Sequence, residues 1–298
     1  MFDSNKKGYI PFLIPGLILF LTIIAIPFAM NVYISFTKWT GVGTPHFIGL
    51  KNYFKIFVDA VFWTSFRNNI AMIFAVTVVP TILGLIFSVI LFDSIEKVFG
   101  TTTVNLIRSG IYLPQIMPVA IAGVVWGWIL NPGFGVLNWI LDSLNLGFLA
   151  HNWLGDTKTA LPTIMFIMVW FQVGYPLVIF MSALQRIDPQ IMEAASIDGA
   201  GWLEKFKITV YMIRPEIMVV ILTTTIYALK LFAQIFVLTR GGPGNATLVP
   251  SYFAYQNFFE KARVGYGATI STIMTTIILI LTIFFIRTQL KFEKGEEV

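Results

Sequence analysis

The residues that carry out most enzyme chemistry are scarce in this sequence. Its 298 residues include no cysteine and only two histidines, His46 and His151, which stand apart and form no HExxH pattern. Disulfides, thiolate nucleophiles, cysteine zinc sites and iron-sulfur clusters are therefore excluded, and a zinc hydrolase has no support. The sequence also lacks GxxxxGKS or GxxxxGKT, the loop that cradles nucleotide phosphates. We predict no catalytic residue, no metal site and no cofactor bound by this chain itself.

One basic residue, Lys230, lies inside an apolar run. A lysine at the centre of a membrane helix costs on the order of 2.5 to 3.5 kcal/mol, so it should face a cavity, a partner or water. The alternative is that its stem reaches the membrane interface. Tyr227 and Gln234 fall on the same helical face as Lys230. We predict that these three line a solute pathway, with Trp170 and Gln172 from an earlier run as further candidates.

The composition identifies the elements that must position these residues. Hydrophobic residues make up 57% of the chain and charged residues 12%, an apolar excess that no soluble domain of this size could cover with polar groups. The net charge of +5 is spread over loops and forms no basic stripe, which argues against nucleic acid as a partner. We predict a single transmembrane domain over residues 1–298 and no large soluble domain.

Six apolar runs are long enough to cross a bilayer as helices, which predicts an all-α, polytopic fold. They cover approximately Tyr9–Tyr33, Asn69–Phe92, Ile107–Leu130, Leu161–Leu184, Pro215–Leu238 and Tyr266–Ile286. The first run is too long for a signal peptide and lacks a small-residue cleavage site, so we expect it to be retained. Prolines at 80, 114, 118 and 176 lie inside runs, and such helix breaks suit a bundle that encloses a cavity.

An even number of spans places both termini on one side of the membrane. If that side is the cytoplasm, it holds eleven basic residues and the outside holds eight, in agreement with the positive-inside rule. The eleven are Lys6, Lys7, Lys97, Arg108, Arg186, Lys205, Lys207, Arg214, Arg287, Lys291 and Lys294. We predict a multi-pass protein of the cell membrane with cytoplasmic termini.

The connection between the fourth and fifth runs, residues 186–214, is the most informative segment. It reads RIDPQIMEAASIDGAGWLEKFKITVYMIR. Asp188 can cap a helix that has Pro189 at its first position and ends at Asp198 and Gly199. A second helix from about Trp202 should place Leu203, Phe206 and Val210 on one apolar stripe. The pattern alone fits an interfacial helix on the bilayer as well as a docking site for a partner protein.

This segment resembles the EAA loop of the permeases of ATP-binding-cassette importers. The resemblance rests on Glu193-Ala194-Ala195, Asp198-Gly199-Ala200 and Phe206, in the pattern EAAxxDGAxxxxxFxI. GLKNYFKIFVDAVFWTSFRNN and FAQIFVLTRGGPGNAT resemble the sugar and glycerol-phosphate permeases of the same family. The resemblance implies a type I importer permease in which residues 186–214 couple an ATPase to the membrane helices, with the seven motif residues as the coupling site.

The resemblance also implies the partners of this chain. They are a second, similar permease subunit, two ATPase subunits that bind ATP and magnesium, and an extracytoplasmic binding protein that delivers a carbohydrate or related polar solute. The turn residues Gly241, Gly242 and Pro243 would present the outer loop to that binding protein, although Gly-Gly-Pro is also typical of a plain tight connection.

Two other classes of protein compete with this interpretation. An ion-coupled secondary transporter usually carries acidic residues in mid-membrane, whereas the acidic residues here lie almost wholly in loops or at span ends. A membrane-bound transferase would need clustered histidines or carboxylates. We therefore predict a permease subunit that is not itself an enzyme.

Overall fold

The computed structural model describes residues 10–293 and is built almost entirely of helices. These residues form two compact units. One contains the chain up to Ala60 together with Phe253–Thr276, and the other contains Val61–Tyr252 together with the chain from Ile277 onward. Tyr9, Lys6, Lys7 and Lys294, which enter the span and charge predictions, lie outside the described residues.

The first unit begins with a long helix interrupted by a π-helical turn. Its elements are α1 (Ile10–Phe20), the turn Leu21–Ala25, α2 (Ile26–Ser35), strands β1 (Thr37–Lys38) and β2 (His46–Phe47), and α3 (Lys51–Val58). The two strands pair antiparallel, with Thr37 opposite Phe47. The sequence had not suggested this small ribbon, but the chain is otherwise helical as predicted.

The later residues of the same unit begin the last helix, α16 (Val264–Glu293), after a π-helical turn at Gln256–Glu260. Side-chain hydrogen bonds connect this helix to the first helix. Thr269 donates to the carbonyl oxygen of Ser35 at 3.0 Å, and Asn31 donates to Thr272 Oγ1 at 3.0 Å. Tyr266 donates to Asp59 Oδ2 at 2.6 Å. These bonds satisfy polar groups that the bilayer interior could not.

The remaining helices lie in the second unit, except that Ala60 of α4 and Phe253–Tyr255 of α15 are counted in the first. They are α4 (Ala60–Ile73), α5 (Val79–Val89), α6 (Glu96–Ile116), α7 (Val119–Ile129), α8 (Val136–Ser143), α9 (Ala160–Gln172), α10 (Gly174–Leu184), α11 (Pro189–Ile197), α12 (Trp202–Met212), α13 (Arg214–Leu229), α14 (Ala233–Leu238) and α15 (Pro250–Tyr255). π-helical turns at Phe74–Val78 and Ile90–Ile95 continue α4 into α5 and α5 into α6, and residues Gly147–Leu149 form a 3-10 turn.

Taken over both units, four helical stretches are long and apolar enough to cross a membrane. They are Phe12–Ser35, Ala60–Phe92, Ala160–Leu184 and Val264–Lys291. Two bent pairs, Val98–Ile116 with Val119–Ile129 and Trp202–Met212 with Arg214–Leu229, raise the number to six if each pair counts as one span. The prediction of about six spans is confirmed in this sense. Below, the four long stretches are called the first, second, fourth and sixth spans, and α6 with α7 is the third. The fifth span is α13 with α14, and α12 is counted with the connection that precedes it.

The third span, predicted over Ile107–Leu130 with prolines inside it, is broken into α6 and α7. Its two helices meet at an angle of 97°. Met117 is extended, with φ −67° and ψ 139°, because the residue before a proline is driven out of the helical region. Pro118 then caps the start of α7. The predicted helix break at Pro118 is therefore real and sharp.

A buried apolar cluster lies where the fourth span ends and the fifth begins. Its members are Val89, Phe180, Ala183, Leu184, Ile213 and Val220. Ile187 and Phe206, from the connection between these spans, pack against it. The connection is therefore anchored in the packed interior at both of its ends.

Candidate functional site

The connection between the fourth and fifth spans folds into two short helices, as predicted. The carboxylate of Asp188 accepts a hydrogen bond from the backbone N–H of Gln190 at 3.0 Å, and Pro189 begins α11. The helix ends at Ile197, and Gly199 takes a left-handed conformation with φ +79°. That conformation is the one for which glycine is favoured after a helix.

Most of the predicted coupling residues are on the open face of α11. Glu193, Ala194, Asp198 and Gly199 are exposed. Ala195 is buried, and its carbonyl oxygen accepts from the backbone N–H of Ala200 at 2.9 Å. The motif therefore divides into an outward set that is free to contact a partner and an inward pair that closes the turn.

The apolar stripe of α12 differs from the prediction. Phe206 packs on the buried cluster and stacks with Trp202 at a ring distance of 5.4 Å. Leu203, which was predicted to share that stripe, is 61% exposed, and Thr209 is buried in its place. The face of α12 that packs is therefore formed by Phe206 and Thr209, and the helix meets α13 at 68°. Leu203 joins Ile197, which is 86% exposed, on the open surface.

The predicted pathway residue Lys230 is not inside a helix. The helix α13 ends at Leu229, and Lys230 is its C-terminal cap. The prediction of a continuous fifth run from Pro215 to Leu238 was therefore wrong. Lys230 is exposed, and its backbone N–H donates to the carbonyl oxygens of Tyr227 and Ala228. Among the described residues, its ammonium group makes no hydrogen bond or ion pair.

The other two residues of that predicted face remain in contact across the break. Gln234 Nε2 donates to Tyr227 Oη at 2.7 Å. Gln234 is buried and Tyr227 is half-buried. The polar face thus survives without a continuous helix, because a side-chain hydrogen bond replaces the helical spacing that the sequence suggested.

Side chains from other elements stabilise the break. Asn69 Nδ2 donates to the carbonyl oxygen of Ala228 at 3.0 Å, and Ser251 Oγ donates to the carbonyl oxygen of Leu231. These donors add side-chain hydrogen bonds to carbonyl oxygens at the place where the helix is interrupted. Sequence reasoning did not identify Asn69 or Ser251. The one available signal was Asn69 itself, because an asparagine in an apolar run suggests a buried side-chain hydrogen bond.

The further pathway candidates lie on the fourth span. Trp170 is half-buried and meets Trp126 edge to face at 5.4 Å. Gln172 is buried, and its Oε1 has no hydrogen-bond partner among the described residues. In the described part of the chain, no hydrogen bond or ring contact joins either residue to Tyr227, Lys230 or Gln234. A contact that the sequence did not suggest joins the fourth and fifth spans directly, since Tyr175 Oη and Thr223 Oγ1 are 3.1 Å apart.

The loop after α14, which was predicted to be an outer loop, is a fixed turn, and most of it is packed. Gly241 is buried with φ +80°, and a Cβ there would lie 2.8 Å from Leu248 Cδ1. The hydroxyls of Thr239 and Thr247 are 2.7 Å apart, and Thr247 also donates to the carbonyl of Gly242. Gly242 and Pro243 are half-buried, whereas Gly244 and Asn245 are exposed. The surface available for docking therefore lies beyond the predicted glycine pair.

These features define the class of the protein. It is a multi-pass, all-helical membrane protein with an exposed helical connection between two spans and interrupted helices within the membrane. The chain belongs to the family of binding-protein-dependent transport system inner membrane components, whose model matches residues 94–293.

Relatives along the full length agree with this membership. The chain is 33% identical over 300 residues to the Bacillus subtilis protein YurN, a probable ABC transporter permease, with 100% of both chains covered. It is 33% identical over 288 residues to the trehalose/maltose transport system permease protein MalF of Thermococcus litoralis, covering 96% of this chain and 94% of the relative.

A solved structure supports the fold. A chain of the bacterial alginate ABC transporter, in complex with an alginate pentasaccharide-bound periplasmic protein, superposes with a TM-score of 0.78. The match covers 96% of this chain and 95% of the other at 19% identity. This protein is thus a permease of the ABC-transporter class, and an ion-coupled secondary transporter is not favoured.

Proposed function

We propose that this permease imports a carbohydrate or related polar solute and forms half of its translocation pathway. The names of relatives support a sugar. The T. litoralis protein is described as a trehalose/maltose transport permease, and a structurally similar bacterial ABC transporter is involved in the import of the acidic polysaccharide alginate. The polar groups on the broken fifth span suit the hydroxyls of such a solute. Tyr227, Lys230 and Gln234 contact it, and Trp170 and Gln172 are further contacts from the fourth span.

Residues 186–214 couple this pathway to ATP hydrolysis. The observation that carries this assignment is the structure of the connection itself: exposed Glu193 and Ala194 on a capped helix, with Phe206 anchored in the core. An element that is free on one face and fixed on the other can transmit movement of a partner to the spans. Glu193 pairs with a basic residue of the ATPase subunit, and the apolar side chains of Ile197 and Leu203 enter its surface.

Two ATPase subunits, with ATP and magnesium, and a second permease complete the transporter. Membership of the binding-protein-dependent transport family supports an assembly of several subunits. ATP-driven closure of the ATPase pair moves the coupling helices and shifts the pathway from inward-facing to outward-facing. ATP must bind one of these states more tightly for the shift to occur.

The termini and the coupling connection lie in the cytoplasm, and the loop around Gly244 and Asn245 faces outward. The positive-inside bias supports this orientation. An extracytoplasmic binding protein delivers the solute to that loop, a role supported by the periplasmic protein named in the alginate complex. The binding protein selects the solute before the membrane does.

Reconstitution tests this function. Tagging this chain in its own host and purifying the assembled complex into proteoliposomes should give sugar uptake that requires ATP. Uptake should stop when the ATPase subunits are stripped, and a binding panel on the co-purified extracytoplasmic protein identifies the sugar. Uptake that persists without the ATPase and follows an ion gradient would contradict the proposal.

A further inference from the structure

Two consecutive asparagines of the second span contact two different functional elements. Asn68 Nδ2 donates to the carbonyl oxygens of Asn245 and Leu248, at 3.1 and 2.9 Å. Asn69 Nδ2 donates to the carbonyl oxygen of Ala228 at 3.0 Å. The first two acceptors belong to the outer loop, and the third lies next to the break in the fifth span. We call Asn68 and Asn69 the asparagine pair.

The surroundings of the pair make it a tight connection. Asn68 is 3% exposed and Asn69 is 1% exposed, so water does not compete readily for their donors. Both lie on α4, and successive side chains of a helix point about 100° apart. One rigid turn of helix thus contacts both elements through hydrogen bonds, whose loss inside a protein is costly.

The hydrogen bonds of the two asparagines differ in a way that suggests a role beyond packing. Asn68 uses its amide group on two carbonyl oxygens. Asn69 has one bond, and its own Oδ1 has no hydrogen-bond partner among the described residues. Ala228 already accepts from the backbone N–H of Leu231 at 3.3 Å. A carbonyl oxygen has two lone pairs, so Ala228 accepts both bonds, and the Asn69 side chain links the end of α13 directly to α4.

We propose that the asparagine pair is a positioning unit that makes the outer loop and the break in the fifth span move together. A displacement of the loop at Asn245 pulls on Asn68, turns this part of α4 and shifts the carbonyl of Ala228 through Asn69. The consequence for transport rests on the proposed function, in which the loop meets the binding protein and the break lies on the solute pathway. The mechanical link itself needs neither assumption.

Hydrogen-deuterium exchange on the full chain in its purified complex tests the link. The reporters are the backbone amides of Lys230 and Leu231 at the break and of Thr247 and Leu248 in the loop, all of which are hydrogen-bonded. Asn68→Ala should speed exchange in the loop and also at the break, and Asn69→Ala should speed both as well. We expect at least about a fivefold change in each case, the factor that corresponds to the loss of one net hydrogen bond. Exchange that changes only in the element each asparagine contacts would overturn the proposal.

Ser65→Ala is the matched control for these variants. Ser65 is buried on the same helix, one turn earlier, and donates at 2.7 Å to Phe62 of its own helix. Its removal should leave exchange at both reporters within twofold of wild type. Equal acceleration at both reporters by Ser65→Ala would mean that any polar loss loosens the helix, and would also overturn the proposal.

A second experiment perturbs the loop from outside, and its first readout is made with both asparagines in place. The chain has no cysteine, so Asn245→Cys provides a single site for a bulky maleimide on an exposed loop residue. Labelling there should change exchange at Lys230 and Leu231 about fivefold, and Asn69→Ala should abolish that response. Asn145→Cys is the control, since Asn145 is also an exposed asparagine with positive φ, 59° against 68°. No response to Asn245 labelling, or an equal response to Asn145 labelling, would refute the link whether or not the complex transports sugar.

Discussion

The guanidinium Nη2 of Arg186 and the carboxylate Oε1 of Glu216 lie 2.5 Å apart. Arg186 follows the fourth span, and Glu216 is in the first turn of α13, where an acidic side chain also complements the helix dipole. The ion pair therefore joins the two ends of the coupling connection. Residues 187–213 therefore form a loop whose two ends, at the fourth span and at α13, are held next to each other.

The Arg186–Glu216 pair should orient the connection more than it stabilises the protein. Arg186 is 68% exposed, and exposed ion pairs contribute about 0 to 1 kcal/mol. We expect Glu216→Gln to change the melting temperature of the complex by only a few degrees while lowering binding-protein-stimulated ATPase activity. A large loss of thermal stability, together with unchanged stimulation of ATPase activity in the complex that remains folded, would show that the ion pair stabilises the protein and does not orient the connection.

The left-handed turn at Gly199 should be essential for coupling and should accept asparagine. A Cβ at Gly199 would meet no atom within 4 Å, so Gly199→Val acts through the backbone alone, at a cost of about 1 to 2 kcal/mol. Asparagine tolerates that conformation better. Uptake should fall severalfold in Gly199→Val and be largely restored in Gly199→Asn, with unchanged assembly in both. Equal uptake by wild type and Gly199→Val would remove Gly199 from the coupling mechanism.

The charge of Glu193 should matter more than that of a neighbouring glutamate. Glu193 and Glu204 are both exposed, on α11 and α12 respectively. Glu193→Lys should weaken the association of the ATPase subunits by about tenfold. A change of this order is expected when a favourable charge pair at an interface becomes repulsive. Glu204→Lys is the control and should retain most of the ATPase. Copurification measures both variants, and an equal loss of ATPase would assign the effect to general charge.

Lys230 should face an aqueous pathway. Lys230→Met keeps the length of the side chain and removes its charge, and we expect lower uptake with normal complex yield and basal ATPase activity. Lys230→Cys in this cysteine-free chain should react with a hydrophilic thiol reagent in the assembled complex, because a water-filled cavity admits the reagent and lipid does not. Wild-type uptake by Lys230→Met, or labelling of Lys230→Cys by lipid-soluble reagents only, would place the residue against lipid.

Two glycines of the outer loop should separate folding from docking. Gly241 and Gly244 both have positive φ, so alanine strains the backbone at each. At Gly241 a Cβ would also lie 2.8 Å from Leu248, whereas at Gly244 the nearest atom is Thr157 Cγ2 at 3.9 Å. Gly241→Ala should lower complex yield, and Gly244→Ala should mainly reduce stimulation by the loaded binding protein. Comparing yield with stimulated ATPase distinguishes the two, and equal yields would show that the loop tolerates crowding.

Much of the coupling connection could be predicted from the sequence, because its structure depends on near neighbours. Asp188, Pro189 and Gly199 define the ends of α11 by capping, fixed φ and left-handed conformation, and each effect acts within a few residues. The break at Pro118 follows from the same kind of local constraint on Met117. The span count and the membrane class came from composition, since the bilayer requires long apolar helices.

The break in the fifth span was decided by the tertiary structure alone. Residues 229–233 contain no glycine or proline, and their local preferences favour a continuous helix. The side-chain donors to carbonyl oxygens at the break come from Asn69, 159 residues away from Ala228, and from Ser251. Whether Lys230 sits inside a helix or caps one therefore depends on contacts between distant segments, which no local pattern contains, because a backbone carbonyl in the membrane can leave its helix only where the folded chain supplies another donor.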